Sequence, residues 1–197
     1  METFEAILTR RSTRKFSPDV PAKDIISRVL DAGRHAPSGS NSQTTHFIVI
    51  TDGTVLAELA ALVQDEFAKM EFREDMYISL KTSINASRKG NYVFHYNAPV
   101  LIVTANKKEY GNAVADSACA LENIMIAANA ADLGSCWINQ LHWLDGNENI
   151  RKYMSGLGLK ADETITGALA VGYAVSGKPL RTPQNITGNP VTWVESA

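Results

Sequence analysis

Apolar residues fall at helical spacing in the first turns of the chain, at Phe4, Ile7 and Leu8, and the sequence then becomes basic from Arg10 to Lys15. That pattern predicts a short helix running into a basic loop. Pro18 and Pro21 announce a second helix, whose apolar face carries Ile25, Ile26, Val29 and Leu30 and which closes before Pro37. Residues 37 to 45 are small, polar and turn-rich, and they lead directly into the β-branched run His46 to Ile50, a strand. Leu56, Leu59, Ala60, Val63, Phe67 and Met70 recur at three- and four-residue steps, so residues 54 to 70 form an amphipathic helix. From 71 to 97 the pattern breaks down. Tyr77, Tyr92, Phe94 and Tyr96 stand among Lys81, Arg88, Lys89 and several Ser and Asn, which suits a mobile helical lid or a partner-facing segment better than core. Residues 98 to 104 form a second strand, with Pro99 at its start or at an edge. Gly111 to Ala131 holds eight alanines with Cys119, Leu121, Ile124, Met125 and Ile126. This is a helix buried nearly all round, in a core or a subunit interface, with Gly134 suited to its C-cap. Residues 135–139 and 164–173 complete the strands, separated by a short helix near 149–154, and an extended tail begins at Asn185. There is no internal repeat.

Composition narrows the function classes. The 197 residues are 45% hydrophobic and 20% charged, which predicts a single domain spanning residues 1–197. Nineteen Lys and Arg against twenty-one Asp and Glu leave a net charge of −2, so no global basic field is available to hold nucleic acid. No apolar run approaches the roughly 20 residues of a membrane-spanning helix, and the first residues lack the order of a signal peptide, so the expected location is cytoplasmic. The two cysteines, Cys119 and Cys136, form no CxxC and have no histidine at metal-ligand spacing. Disulfide scaffold and zinc module are both excluded.

Three segments are polar without being obvious solvated surface: the basic loop, the 38–43 loop, and Lys178 with Arg181 after the last strand. The guanidinium forks, ammonium and hydroxyl of Arg10, Ser12, Arg14, Lys178 and Arg181 suit an anion site, with a solvated charged turn as the plain alternative. Cys119 and Cys136 lie in apolar contexts and are expected to be buried structural thiols. The four histidines are scattered and suggest packing or surface roles. Trp143 and the aromatics of residues 71–97 suit either core or stacking. Gly156 to Leu159 lacks the spacing of a dinucleotide-binding turn.

Taken in order, Arg10-Arg11-Ser12-Thr13-Arg14, Pro37-Ser38-Gly39-Ser40-Asn41-Ser42-Gln43, Asn97-Ala98-Pro99, Leu133 to Ile138 and Gly172-Tyr173 resemble the nitroreductase superfamily of FMN-dependent oxidoreductases, over about residues 5 to 181. The resemblance implies an α+β fold, with a central, mainly antiparallel sheet flanked by helices, in an intertwined homodimer with FMN at the subunit interface. The alanine-rich helix would then pack at the dimer core. It further implies that Arg10, Arg11 (through its backbone), Ser12 and Arg14 hold the phosphate and ribityl chain, with Arg14 also reaching the pyrimidine edge of the ring. Pro37, Ser38, Gly39 and Asn41 are implied to reach the flavin of the other subunit; Ile138, Asn139 and Gln140 to lie beside it and offer a backbone N–H to N5; and Lys178 and Arg181 to sit near the phosphate. One departure stands out: the family often places an Asn and a Lys before the second strand, and here Asn91 suits the first slot while Phe94 occupies the other. The pyrimidine-edge contact is left to Arg14 alone, or to Arg88 or Lys89. No side-chain acid or base is needed, because the flavin supplies the reactive atom. The activity implied is hydride uptake from NAD(P)H and reduction of a small acceptor such as a nitroaromatic or quinone by a ping-pong cycle. Rival readings are a flavin-fragmenting or dehalogenating member, a flavin-binding or flavin-sensing protein without turnover, and a domain binding phosphate ligands or acidic peptides.

Overall fold

A computed structural model of the chain describes residues 1–177, 179 and 181–195. The elements run α1 (Thr3–Thr9), α2 (Lys23–Arg34), a 3-10 turn (Gly39–Asn41), β1 (His46–Ile50), α3 (Gly53–Lys69), α4 (Ile78–Lys89), β2 (Val100–Lys107), α5 (Ala113–Ala130), β3 (Gly134–Ile138), α6 (Gln140–Trp143), α7 (Glu148–Gly156) and β4 (Glu163–Gly172). The four strands form one antiparallel sheet in the order β1-β2-β4-β3. None of the described helices is long and apolar enough to cross a membrane.

The sheet divides the core in two because successive side chains of a strand point to opposite faces. Leu101, Val103 and Ala105 of β2, with Ala168 and Ala170 of β4, meet Leu59, Phe67, Ile84, Leu141 and Ile150 of α3, α4, α6 and α7. Val100, Ile102, Leu169 and Val171, the alternate positions, meet Ile26 and Val29 of α2 and Leu121 and Ile124 of α5. Both central strands are therefore apolar on both faces, which is why they carry continuous hydrophobic runs. Local signals start the helices above them. Asp52 accepts the N–H groups of Thr54 and Val55 at the start of α3, and Asn147 accepts that of Ile150 at the start of α7.

Residues 71–97 correct the expectation of a segment outside the core. They contain a regular helix, α4, that buries Ile84 against α3, and Phe94 and His95 beyond it are buried as well. Arg88 is tied into the same junction, donating to the carbonyls of Ala68 and Met70 at the end of α3. Hydrophobic periodicity missed α4 because three small or single apolar contacts, Ser83, Ile84 and Ser87, make up its buried face. Of the two settings expected for the alanine-rich α5, a core or a subunit interface, the core of a single chain does not account for all of it. Its own chain covers one side only, and Val114 and Cys119 are exposed, so Cys119 is not the buried thiol expected, whereas Cys136 is buried. Gly134 also differs from its expected part: Ala131 caps α5 and Gly134 opens β3.

Two buried carboxylates stitch loops to this frame. Glu66 accepts from Lys69 at 2.7 Å, Asn149 at 2.9 Å and Asn147 at 2.7 Å. The Lys69 bond, followed by that of Asn149, holds its pKa low against the opposing effect of burial. Burial likewise pushes Glu163 up, but the His46 bond at 2.9 Å, the Lys160 amide and the charges of both outweigh it and hold it low. A depressed carboxylate stabilises the fold above its unfolded pKa, near 4.5, and that contribution disappears as pH falls through the lower folded value. The thermal midpoint should therefore drop on acidification below about pH 4.5, and Glu66→Gln should lower stability at pH 7 by about 1.5–3 kcal/mol while making the acid drop shallower. Urea titrations of both proteins at pH 7 and pH 4 measure this, and parallel pH profiles would show that Glu66 is not part of the acid response.

Candidate active site

The basic segment is placed by the sheet rather than by its own charge. Ser12 forms a parallel bridge with Ser135 of β3, and the Thr13 N–H donates to the Ser135 carbonyl at 2.9 Å. Further on, Phe16 bridges Ala174, the Ser17 N–H donates to the Tyr173 carbonyl at 2.8 Å and the Val175 N–H to the Lys15 carbonyl at 3.2 Å. Residues 12–17 thus form a strap along the outer edge of β3 and the end of β4. Gly134 makes this approach possible, since a Cβ there would lie 2.5 Å from Thr13 Oγ1. The strap meets β3 at Ser135, where the Ser12 bridge is parallel, and so fastens the basic segment to the strand that ends at Ile138.

Arg10, Arg11, Ser12 and Arg14 line one cavity, joined by Gln184 of the tail. Arg10 Nε is 3.4 Å from Glu122 Oε1 and is buried without a hydrogen-bond partner. Arg11 reaches the Pro183 carbonyl at 3.5 Å, and Arg14 lies over the Tyr96 ring at 6.0 Å. Burial works against the Arg14 charge, but Cys136 and Tyr96 beside it favour it, and its pKa is raised. Burial is also the main cause of the raised Cys136 pKa, with Arg14, the Ser12 hydroxyl and Arg10 pulling it down. Three guanidinium groups with one carboxylate among the described residues paired to them, and a buried N–H left without an acceptor, fit a phosphate group.

At the strand end, the Asn139 side chain accepts from Trp137 Nε1 at 2.7 Å. Gln140 turns its side chain inward, donating to Tyr92 Oη at 2.9 Å, and its carbonyl accepts from the Leu144 N–H at 3.1 Å. Trp143 follows on α6, with Tyr77 edge-on at 6.2 Å.

Other residues expected at the site lie apart from this cavity within one chain. Pro37, Ser38 and Asn41 line a separate one with Asp116 and Phe47, and the Gly39 N–H lies 3.2 Å from both Asp116 oxygens. Asn91 lines a third, with Gln64, His95 and Asn97. Phe94 is core, and Arg88 is engaged with α3, so Tyr96 is the residue of this segment that meets Arg14. Arg181 binds Asn129 at the end of α5 and pairs with Asp132. Lys178 lies outside the described residues. Sequence reasoning named Tyr96 only as an aromatic for core or stacking and missed Gln184, Tyr110 and Asp116; the available signal for Asp116 was a lone acid near the start of an alanine-rich helix.

With this geometry in place, a family comparison decides the assignment: the model described as the Nitroreductase family matches residues 7–173. The chain belongs to the nitroreductase family. A nitroreductase with bound FMN from Bacteroides fragilis is 32% identical, with a TM-score of 0.86 over 99% of this chain and 100% of that one. An FMN-dependent nitroreductase from Clostridium difficile, 23% identical, shares the fold with a TM-score of 0.72 over 96% of this chain and 99% of that one. A Methanothermobacter thermautotrophicus protein whose name pairs NADH dehydrogenase with NAD(P)H nitroreductase is 27% identical, over 79% of this chain and 70% of its own length. The α+β architecture is accordingly that of the nitroreductases, and the chain is an oxidoreductase.

The strap's dependence on β3 is open to test. Gly134→Ala should cost about 1–3 kcal/mol of unfolding free energy, because the added methyl overpacks Thr13. Chemical denaturation reads this directly, and an unchanged midpoint would mean that the strap does not press on Gly134.

Proposed function

We propose that this nitroreductase is a cytoplasmic homodimeric FMN oxidoreductase that takes hydride from NAD(P)H and reduces a small acceptor, such as a nitroaromatic or quinone, in a ping-pong cycle. The observation that carries the reading is the cationic cavity of Arg10, Ser12 and Arg14, with its unsatisfied Arg10 Nε, fastened to β3 through the Ser12–Ser135 bridge. Bound FMN would supply the two-electron chemistry.

The protein's own part is binding, orientation and electrostatics. Arg10 would neutralise the phosphate, with Ser12 as a hydroxyl donor and Arg11 contributing mainly through its backbone. Arg14 would hold a positive charge near the pyrimidine edge, where a reduced ring gains negative charge, and so favour the reduced form. The neighbouring Cys136 and Tyr96 favour the charge of this guanidinium against the opposing effect of burial. The inward anchoring of Gln140 by Tyr92 steadies the backbone turn that is to face the ring. A nicotinamide donor would dock transiently at the flavin site, since the sequence has no dinucleotide-binding turn of its own.

Several surfaces support the dimer. The Ser38–Asn41 loop and the Arg10–Arg14 cavity are separate within one chain, so bringing them to one cofactor calls for a second copy. Phe4 and Leu8 of α1, Val114 of α5, and Ile186, Val191 and Trp193 of the tail are all exposed. Burying such side chains contributes about 1.5–3 kcal/mol each. Arg181 then serves the dimer-facing tail by tying it to α5.

Purified protein should carry a flavin spectrum that bleaches anaerobically with NADH or NADPH and recovers when a nitroaromatic or quinone is added; a colourless protein that refuses FMN would overturn the reading. Arg14→Ala should weaken FMN binding by about 1.5–3 kcal/mol, roughly 10- to 150-fold in Kd, as measured by flavin fluorescence titration. Sedimentation across a dilution series should show flavin release tracking dimer dissociation. Monomers that keep FMN at full affinity would contradict the two-chain site.

A further inference from the structure

The loop that carries Ser38, Gly39 and Asn41 holds an unusual backbone. Ser40, Asn41 and Gln43 take φ values of 52°, 53° and 50°, in the left-handed region where residues other than glycine are uncommon. Such conformations persist only where surrounding structure imposes them, and they cluster at functional sites. Here the imposing groups can be named. The Asp116 carboxylate, buried in the first turn of α5, lies 3.2 Å from the Gly39 N–H through each oxygen and accepts from Tyr110 Oη at 2.8 Å. Tyr110 Oη also lies 3.2 Å from the Gly39 carbonyl and accepts from Ser42 Oγ at 3.0 Å. Both polar groups of the Gly39 peptide unit are thus near one side-chain pair, and a Cβ on Gly39 would lie 2.5 Å from Tyr110 Oη. Within the loop, the Gln43 N–H donates to Ser38 Oγ and the Ser42 N–H to the Gly39 carbonyl, both at 3.0 Å. The α5 N-terminus, where backbone dipoles favour negative charge, suits a carboxylate in this position. The outer face of the loop, at Ser40, Asn41 and Gln43, is exposed.

We propose that Asp116 and Tyr110 are positioning residues that hold the 38–43 loop in its strained form, so that it meets the flavin of the partner subunit already shaped. The inference rests on the FMN dimer reading. Asp116 anchors the loop through Gly39, and Tyr110 bridges Asp116, Gly39 and Ser42, so the α5 helix at the subunit interface and the cofactor-facing loop move as one piece. Neither residue touches the cofactor; both act through the loop backbone. Loss of the carboxylate frees the Gly39 N–H and allows Ser40, Asn41 and Gln43 to relax to ordinary φ, and cofactor binding must then reorder the loop.

The test compares Asp116→Ala, Asp116→Asn and Tyr110→Phe with the unmodified protein, reading FMN Kd by titration of deflavinated protein, the flavin midpoint potential, thermal midpoint and sedimentation. Asp116→Ala should remain dimeric, bind FMN about tenfold more weakly and shift the midpoint potential. Asp116→Asn, whose amide oxygen can accept both bonds, should restore binding to within about threefold of the unmodified protein. Tyr110→Phe should fall between them, and it carries the test if Asp116→Ala does not fold. A variant that loses thermal stability but binds FMN with unchanged Kd and potential overturns the proposal, because the network would then serve the fold alone. A monomeric Asp116→Ala also overturns it, placing the residue's role in association. Failure of the unmodified protein to bind FMN falls on the underlying reading instead, and is seen before any variant is made.

Discussion

Backbone pairing between the basic strap and β3 is the constraint on which the rest of the site depends. A run of arginines at Arg10, Arg11 and Arg14 would otherwise disperse into solvent, since like charges repel and long side chains lose entropy when held. Hydrogen bonds at Thr13–Ser135, Ser17–Tyr173 and Val175–Lys15 hold the backbone along the sheet edge, so the guanidinium groups converge without needing to attract one another. The pairing also protects the sheet. It covers part of the outer edge of β3, an otherwise open row of donors and acceptors.

Two devices of opposite character meet on α5. Near its start, Asp116 and Tyr110 restrain a loop whose backbone is strained; towards its end, Asn129 donates to the carbonyl of Ala6 and accepts from Arg181 of the tail. Along its length the helix exposes Val114, before Asp116, and Cys119, after it. A helix that supports the cofactor loop at one end and α1 and the tail at the other is suited to couple the state of the site to association. The same frame carries Gln140, whose side chain joins the turn after β3 to Tyr92 and so to the α4 region.

Much of the architecture was legible because strong local patterns had a single physical reading. The continuous apolar runs of β2 and β4 imply strands buried on both faces, and the stepped leucines of α3 imply a helix with one buried face, and these are the faces packed in the two core layers. Residues 71–97 were not legible, since α4 owes its position to Ile84 and to Arg88 capping α3, neither of which leaves a periodic trace. The site divided the same way. Arg10, Ser12 and Arg14 stood out as a dense basic motif and do gather around one cavity, whereas Asn91 opens on another and Arg181 is engaged by Asn129 and Asp132.

Local chemistry settled which segments are helix and strand, and which polar motifs merit attention, because periodicity, turn residues and charge density act over a few neighbouring positions. It could not settle that Tyr96 lies beneath Arg14, that Gly134 makes room for Thr13, or that Asp116 reaches Gly39. These are contacts between residues 77 to 121 positions apart, with Asp116 and Gly39 separated by 77. Such distances close only when strand order and helix packing have been chosen cooperatively by the whole core.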